Sequence, residues 1–194
     1  MKKVLFVLLA VMVLAPTHAL SNEWKMDAAH SGIMFEIKHI YSTVRGQFLD
    51  FSGSVFFDPD QPAKSSCEFV VKTDSINTQI GKRDNHLRSG DFFDSKKYPE
   101  MVFKSSRVTA ASGNKFILEG TITIKDVTKS MKLEFTFLGQ KENPFKKDIM
   151  VAGFETRFAI DRLAFNVGNG KFYKMGVVDK DVEILIFLEM TRDK

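Results

Sequence analysis

The sequence predicts an all-β fold, an antiparallel sheet closed into a barrel with an apolar interior, and three observations support it. From Ile33 to Met190 the chain alternates with period two, one parity apolar and often Phe, the other charged or Thr, as half-buried antiparallel strands do. Almost nothing in the chain patterns as a covering helix layer, so a sheet with one apolar face must close on itself. Finally, 19 of the 194 residues are Phe, a heavy loading for the core of a single domain.

Eight strand-like segments follow in order, near 32–40, 43–57, 65–73, 101–109, 115–125, 130–140, 149–162 and 181–192. In the first, Ile33, Phe35 and Ile37 oppose Met34, Glu36 and Lys38. The second changes phase: Val44, Gly46 and Phe48 share one parity, whereas Phe51, Gly53, Val55 and Phe57 share the other. A bulge or bend near Leu49 and Asp50 accounts for that. In the third, Cys67, Phe69 and Val71 share a face. Ser112-Gly113-Asn114 marks a tight hairpin between the fourth and fifth strands, and 125–129 is a short connection to the sixth. The sixth sets Met131, Leu133, Phe135 and Phe137 against Lys132, Glu134 and Thr136; the last sets Val182, Ile184, Ile186 and Leu188 on one face. Alternation vanishes only in 77–99, between the third and fourth strands, where residues 83–89 followed by Gly90 predict one short helix with a glycine C-cap. The other long irregular connection is 167–176, and loops of such length in a compact domain are often functional. No internal repeat or linker divides the chain.

At the N-terminus, Lys2 and Lys3 precede an apolar run from Val4 to Ala15, then Pro16 and Thr17-His18-Ala19, the layout of a signal peptide with its cleavage site. The run is well short of the roughly 20 residues of a membrane-spanning helix. The expected arrangement is a signal peptide over 1–19 and one domain over 20–194, exported to the periplasm. Cleavage removes two of 28 basic residues and none of 24 acidic ones, leaving a net charge of +2 instead of +4. The lysine pairs are scattered, which argues against a nucleic-acid partner. Cys67 is the only cysteine and cannot close an intramolecular disulfide; its parity reads as a small buried apolar residue rather than a reactive thiol.

The search for chemistry finds binding features and no catalytic set. His30, His39 and His86 remain after cleavage, too few for a metal cluster, and a spacing of nine places His30 and His39 on opposite faces of a continuous strand. There is no G-x-S-x-G motif, and Cys67 has no base nearby in sequence. Gly168-Asn169-Gly170-Lys171 looks like a turn, because no helix pattern follows to make it a phosphate cradle. His39 continues the apolar parity of its strand; it is either a satisfied histidine capping the core or a contact for a ligand's polar head. Arg162 continues the face of Phe154, Phe158 and Ile160, and a guanidinium there needs a partner. A structural pair with Asp91 or Asp94 and a clasp for a ligand's polar end are the two readings.

Trp24 with Asp27, His30-Ser31, Phe35 and His39, Gly46 with Phe48, 74–78, 83–94, Tyr98-Pro99, Phe103-Lys104-Ser105 and 120–124 with Val127-Thr128 together resemble the YceI-like family over nearly the whole mature chain. The resemblance implies a lipocalin-like barrel of eight antiparallel strands, periplasmic in many members, around a long apolar tunnel that holds a polyisoprenoid or another long-chain amphiphile. It implies neither catalysis nor a cofactor. Two departures stand out: Asp126 where a Gly is expected, and Leu163-Ala164-Phe165-Asn166 where an acidic residue and a Gly are commoner, which bears on headgroup preference.

An eight-stranded barrel is wide enough either to be filled by its own side chains or to hold one ligand. For the ligand reading, Phe35, Ile37, Phe69, Val71, Ile122, Leu133, Phe135, Phe158 and Ile186 should converge on one polyisoprenoid or fatty-acyl chain, with His39 and Arg162 nearer its polar end. The alternative is a filled barrel whose surface binds an envelope-stress or redox partner protein. A lipid hydrolase or isomerase lacks a nucleophile–base pair. A homodimer is compatible with the sequence, which carries no signal for or against it.

Overall fold

A computed structural model describes residues 23–194; the expected signal segment, residues 1–19, lies outside them. Eleven strands form one antiparallel sheet. In chain order they are β1 (Glu23–Met26), β2 (Gly32–His39), β3 (Ser42–Phe48), β4 (Phe51–Phe56), β5 (Ser66–Lys72), β6 (Ile76–Asn77), β7 (Glu100–Ala110), β8 (Lys115–Ile124), β9 (Val127–Glu142), β10 (Ile149–Asp161) and β11 (Val178–Asp193). Two short helices interrupt them, α1 (Gly81–Arg88) and α2 (Lys171–Lys174).

The sheet closes because β1 pairs on both sides, Trp24 opposite Val55 of β4 and Met26 opposite Met190 of β11. The ring runs β1-β4-β5-β7-β8-β9-β10-β11 and back to β1. Toward the other end β11 changes partner and pairs with β2, Ile184 opposite Phe35. There β2 pairs with β3, and β3 meets β6 at Gln47–Asn77 and Phe48–Ile76. The pairs β1/β2, β3/β4 and β5/β6 are thus three staves, each broken once, and the barrel is a closed, eight-membered antiparallel one. Two of the breaks fall at one level. Leu49 N donates to Ser75 O (3.2 Å) and Lys72 N to Asp50 O (2.9 Å), so the phase change at Leu49-Asp50 is matched by the turn at Thr73–Ser75.

The expected helix is present, but it follows the sixth strand rather than lying between a third and a fourth, because the predicted segment 43–57 splits in two and β1 and β6 add short strands too brief to pattern in sequence. Gly90 is not its cap. Ser89 ends the helix in an extended conformation, its N–H (3.1 Å) and hydroxyl (2.7 Å) both donating to His86 O. Arg88 then fixes the helix to the β5/β6 stave by donating to Asp74 O and Ile76 O, each at 2.6 Å. Across the hairpins, Gly113 takes a left-handed φ of +62° between β7 and β8, and Lys125 one of +56° between β8 and β9.

Three apolar clusters stack along the barrel. Trp24, Val55, Phe57, Phe116, Phe154 and Met190 fill one end, with the Trp24 indole N–H donating to Phe57 O (3.3 Å). Ile33, Phe35, Phe48, Val71 and Ile76 pack the opposite wall beneath α1. Phe92, Ile124, Phe165 and Val167 hold the irregular segments against the sheet.

Candidate functional site: an apolar tunnel

A cavity of about 460 Å³ runs inside the barrel, and all eleven residues expected to surround a ligand line it: Phe35, Ile37, His39, Phe69, Val71, Ile122, Leu133, Phe135, Phe158, Arg162 and Ile186. Phe35 and Val71 are buried, whereas Ile37, Phe69, Ile122, Leu133, Phe135, Phe158 and Ile186 are half-buried although they point inward. That combination is what a hollow barrel produces, since the wall of an open tunnel is itself a surface.

The tunnel stays open because large rings lie against the wall instead of across the lumen. Gly46 is the register partner of Phe35, and Gly53 of Phe69. A Cβ at Gly46 would come 2.3 Å from Phe35 Cζ, and one at Gly53 2.2 Å from Phe69 Cδ1. Each ring therefore occupies the space a side chain on the neighbouring strand would need. At the β1 end there is no such relief. Phe57 meets Phe116, Phe137 and Phe154 at 5.1–5.2 Å between centroids and Phe135 at 5.7 Å, edge-on or tilted, the favoured arrangements for aromatic pairs. This end is a packed floor, and Phe135 belongs to the floor as much as to the tunnel.

Opposite the floor, the lining comes from segments that do not alternate: Arg83, His86 and Leu87 of α1, Phe92 and Phe93 after it, and Phe172 and Val177 around α2. Sequence periodicity misses these, and the only signal for them is their aromatic content within irregular stretches. Phe92 and Phe172 stack with planes 9° apart, and the His86 ring stands edge-on to Phe92 at 5.0 Å. The wall also parts on one side. The β9–β10 ladder ends at Glu155–Thr136. Among the described residues no backbone pairing links Val127–Phe135 to Arg157–Asp161; Thr156 Oγ1, donating to Glu134 O (2.7 Å), is the last tie.

Arg162 is buried and lines the tunnel, yet neither Asp91 nor Asp94 is its partner. Its Nε donates to Asp179 O and its Nη1 to Val167 O, both at 2.8 Å, and Nη2 to Val178 O at 3.5 Å. It also lies over the Phe92 ring at 5.8 Å. Burial lowers its affinity for the proton, while Asp161 and Asp179 oppose that shift. The residue therefore folds the connection after β10 back onto β11 by satisfying the carbonyls of Val167 and Asp179, which no strand pairs. His39 lies at the same end, opposite Val178. Arg83 is similarly occupied, donating to Thr78 Oγ1 (2.7 Å) and Thr78 O (2.8 Å).

The departures at 126 and 163–166 have structural roles here. Lys125 Nζ donates to Phe92 O and Asn166 O, both at 2.8 Å, and Asp126 accepts from the Asn166 amide (3.4 Å). Residues 162–165 form a 3₁₀ turn that ends on Asn166 at φ +57°, a conformation Asn tolerates.

Cys67 also faces the tunnel, and burial pushes its thiol up to about 11, so the nucleophilic thiolate is scarce. Outside the barrel, His30 Nδ1 lies 3.0 Å from Asp27 Oδ2 and 3.8 Å from Glu189 Oε1. This is a solvent-exposed ion-pair cluster at the β1–β2 turn. No described helix is long and apolar enough to cross a membrane.

The YceI-like domain model matches residues 24–190. A UPF0312 protein of Pectobacterium atrosepticum is 35% identical over the full length of both chains, and Protein YceI of Escherichia coli O157:H7 is 31% identical over 100% of this chain and 99% of its own. Among solved structures, BcnA of Burkholderia cenocepacia superposes with a TM-score of 0.76 at 29% identity, covering 84% of this chain and 98% of that one. A polyisoprenoid binding domain from Saccharophagus degradans shares the fold with a TM-score of 0.64 at 14% identity, covering 88% and 98%. The match begins at Trp24, which closes the ring, and ends at Met190, which that closure buries: the chain belongs to the family of YceI-like domains.

Proposed function

We propose that this protein is a periplasmic carrier that holds one polyisoprenoid or comparable long-chain amphiphile in the barrel and catalyses no reaction. The observation that carries the reading is the tunnel whose phenylalanines lie flat against glycine-bearing strands, leaving about 460 Å³ open. That space is within the range of small-molecule sites, roughly 300–1,000 Å³. A long apolar chain needs no polar partner along its length, and each buried methylene contributes about 0.8 kcal/mol. Polar groups are then needed only at one end, where His39 and His86 line the tunnel. The relationship to a fold whose Saccharophagus degradans member is a polyisoprenoid binding domain supports the same ligand class.

Native mass spectrometry of protein purified from periplasm without detergent tests this. The expected result is a single adduct of a few hundred daltons that organic extraction removes and an added isoprenoid restores. A barrel that co-purifies with nothing, and whose melting temperature neither an isoprenoid nor a fatty acid raises, is not a lipid carrier.

A further inference from the structure

At the helical end of the tunnel the rim is apolar on the outside as well. Ile40 and Tyr41 form the turn between β2 and β3; Ile40 is 57% exposed and Tyr41 fully so. Ile40 N donates to Val177 O (3.0 Å), which sets this turn against the segment carrying Met175, 61% exposed, and Tyr173, 42% exposed. Each of these side chains neighbours the lining: His39 precedes Ile40, Phe172 precedes Tyr173, and Val177 follows Met175 by two residues. Ile40 has φ +51°, an outlier for a β-branched residue. The two-residue hairpin loop between the paired His39 and Ser42 imposes that φ.

Three lysines around this tip are free of ion pairs: Lys38, Lys171 and Lys174 are exposed, and none has a carboxylate within ion-pair distance among the described residues. The neighbouring acids are engaged: Asp161 and Asp181 with Lys180 at 3.1 and 3.0 Å, Asp91, which lines the same small pocket as Lys171, with His86 at 3.0 Å, and Asp179 by its field on Arg162.

From this we infer that the rim docks on an anionic phospholipid bilayer. Ile40, Tyr41 and Met175 enter the interface, Tyr173 sits at headgroup level, and the three lysines meet lipid phosphates. Docked in this way, the tunnel faces the phase in which a long-chain amphiphile dissolves. The inference adds a membrane surface to the carrier reading as the place of loading and release.

Flotation of the purified, lipid-extracted protein with vesicles of phosphatidylglycerol and phosphatidylethanolamine is the test, with phosphatidylcholine vesicles as the neutral comparison. Binding to the anionic vesicles is expected, weakening as salt is raised. Ile40→Asn with Tyr41→Ser should reduce it at least about tenfold, and Lys171→Glu with Lys174→Glu by a similar factor. Because Asn relaxes the positive φ, the first variant should melt no lower than the parent, separating lost docking from lost folding. Phe145→Ser is the control: Phe145 is 93% exposed but lies in the β9–β10 turn, at the opposite end of β11 from Val178, and it should change nothing. Failure of the parent protein to float at low salt, or a Phe145→Ser effect equal to that of the rim variants, overturns the proposal. Lipid-extracted protein separates this result from the carrier reading: co-purified lipid without flotation refutes docking alone, and flotation without any bound chain refutes the carrier alone.

Discussion

Gly46 stands across the sheet from Phe35, close enough that a Cβ on Gly46 would lie 2.3 Å from Phe35 Cζ and 2.9 Å from a Thr78 methyl. A hydrogen atom at position 46 is what lets a ring at position 35 fold against the wall. Gly46→Ala should rotate Phe35 into the lumen, costing about 1–3 kcal/mol of stability as an overpacked core does, and shorten the longest chain the tunnel accepts. Thermal melts and titration with fatty acids of increasing length read the two effects separately.

Arg162→Ala should destabilise the protein by about 3 kcal/mol, because it strands carbonyls of Val167 and Asp179 that the guanidinium now satisfies. The loss should be equal in lipid-free and lipid-loaded protein. A loss confined to the loaded form would mean that Arg162 binds the ligand's polar end instead of bracing the 162–178 connection.

Phe135 lies between the floor and the tunnel, with neighbours Phe57, Phe116 and Phe154 at 5.5–6.2 Å between centroids. Phe135→Ala should cost about 3–5 kcal/mol, since the floor is packed and cannot collapse around the void. Denaturant unfolding of lipid-free protein measures it.

Cys67 should react with a soluble thiol reagent about a hundredfold more slowly in the native state than its ordinary thiolate population allows, because the shift from 9.0 to about 11 removes that share of thiolate near neutral pH. Equal rates before and after denaturation would place the side chain on the outer face.

The Asp27–His30 pair predicts a pH dependence. The hydrogen bond from Asp27, helped by the charges of Asp27 and Glu189, raises the His30 pKa above 6.5. Its stabilising contribution is therefore full below about pH 6.5 and disappears as pH rises through the raised folded value. The Asp27 carboxyl is held below its ordinary 3.8, first by that same hydrogen bond, so its contribution is present above that value and lost as acid titrates the carboxylate. His30→Gln should lower the melting temperature near about pH 5.5 and leave it unchanged near about pH 9. Both groups are exposed, so salt should shrink the difference.

Much of the barrel was legible from the alternation of residues alone. A strand half in water must present apolar and polar residues to opposite faces, and that requirement placed Phe35, Ile122, Leu133 and Ile186 on one interior surface and located the break at Leu49-Asp50. The glycine-and-asparagine hairpin at 112–114 and the helix near 83–89 were readable because turn and helix chemistry is local. Trp24 escaped assignment to a strand, since four residues are too few to show a period. The count of strands before α1 went astray for the same reason.

What the tertiary structure alone decided is which strands neighbour one another, and the site depends on that. Parity says that Phe35 points inward. Only the register with Gly46 says that its ring lies flat and leaves the lumen open, while Phe57, facing Phe116, Phe135, Phe137 and Phe154, closes the far end. Arg162 was legible as a buried cation, but its partners are the carbonyl of Val167 in a connection with no periodicity and those of Val178 and Asp179 at the irregular start of β11. Backbone groups look identical in any sequence, so which of them stay unpaired and draw in a guanidinium is settled by the closure of the barrel.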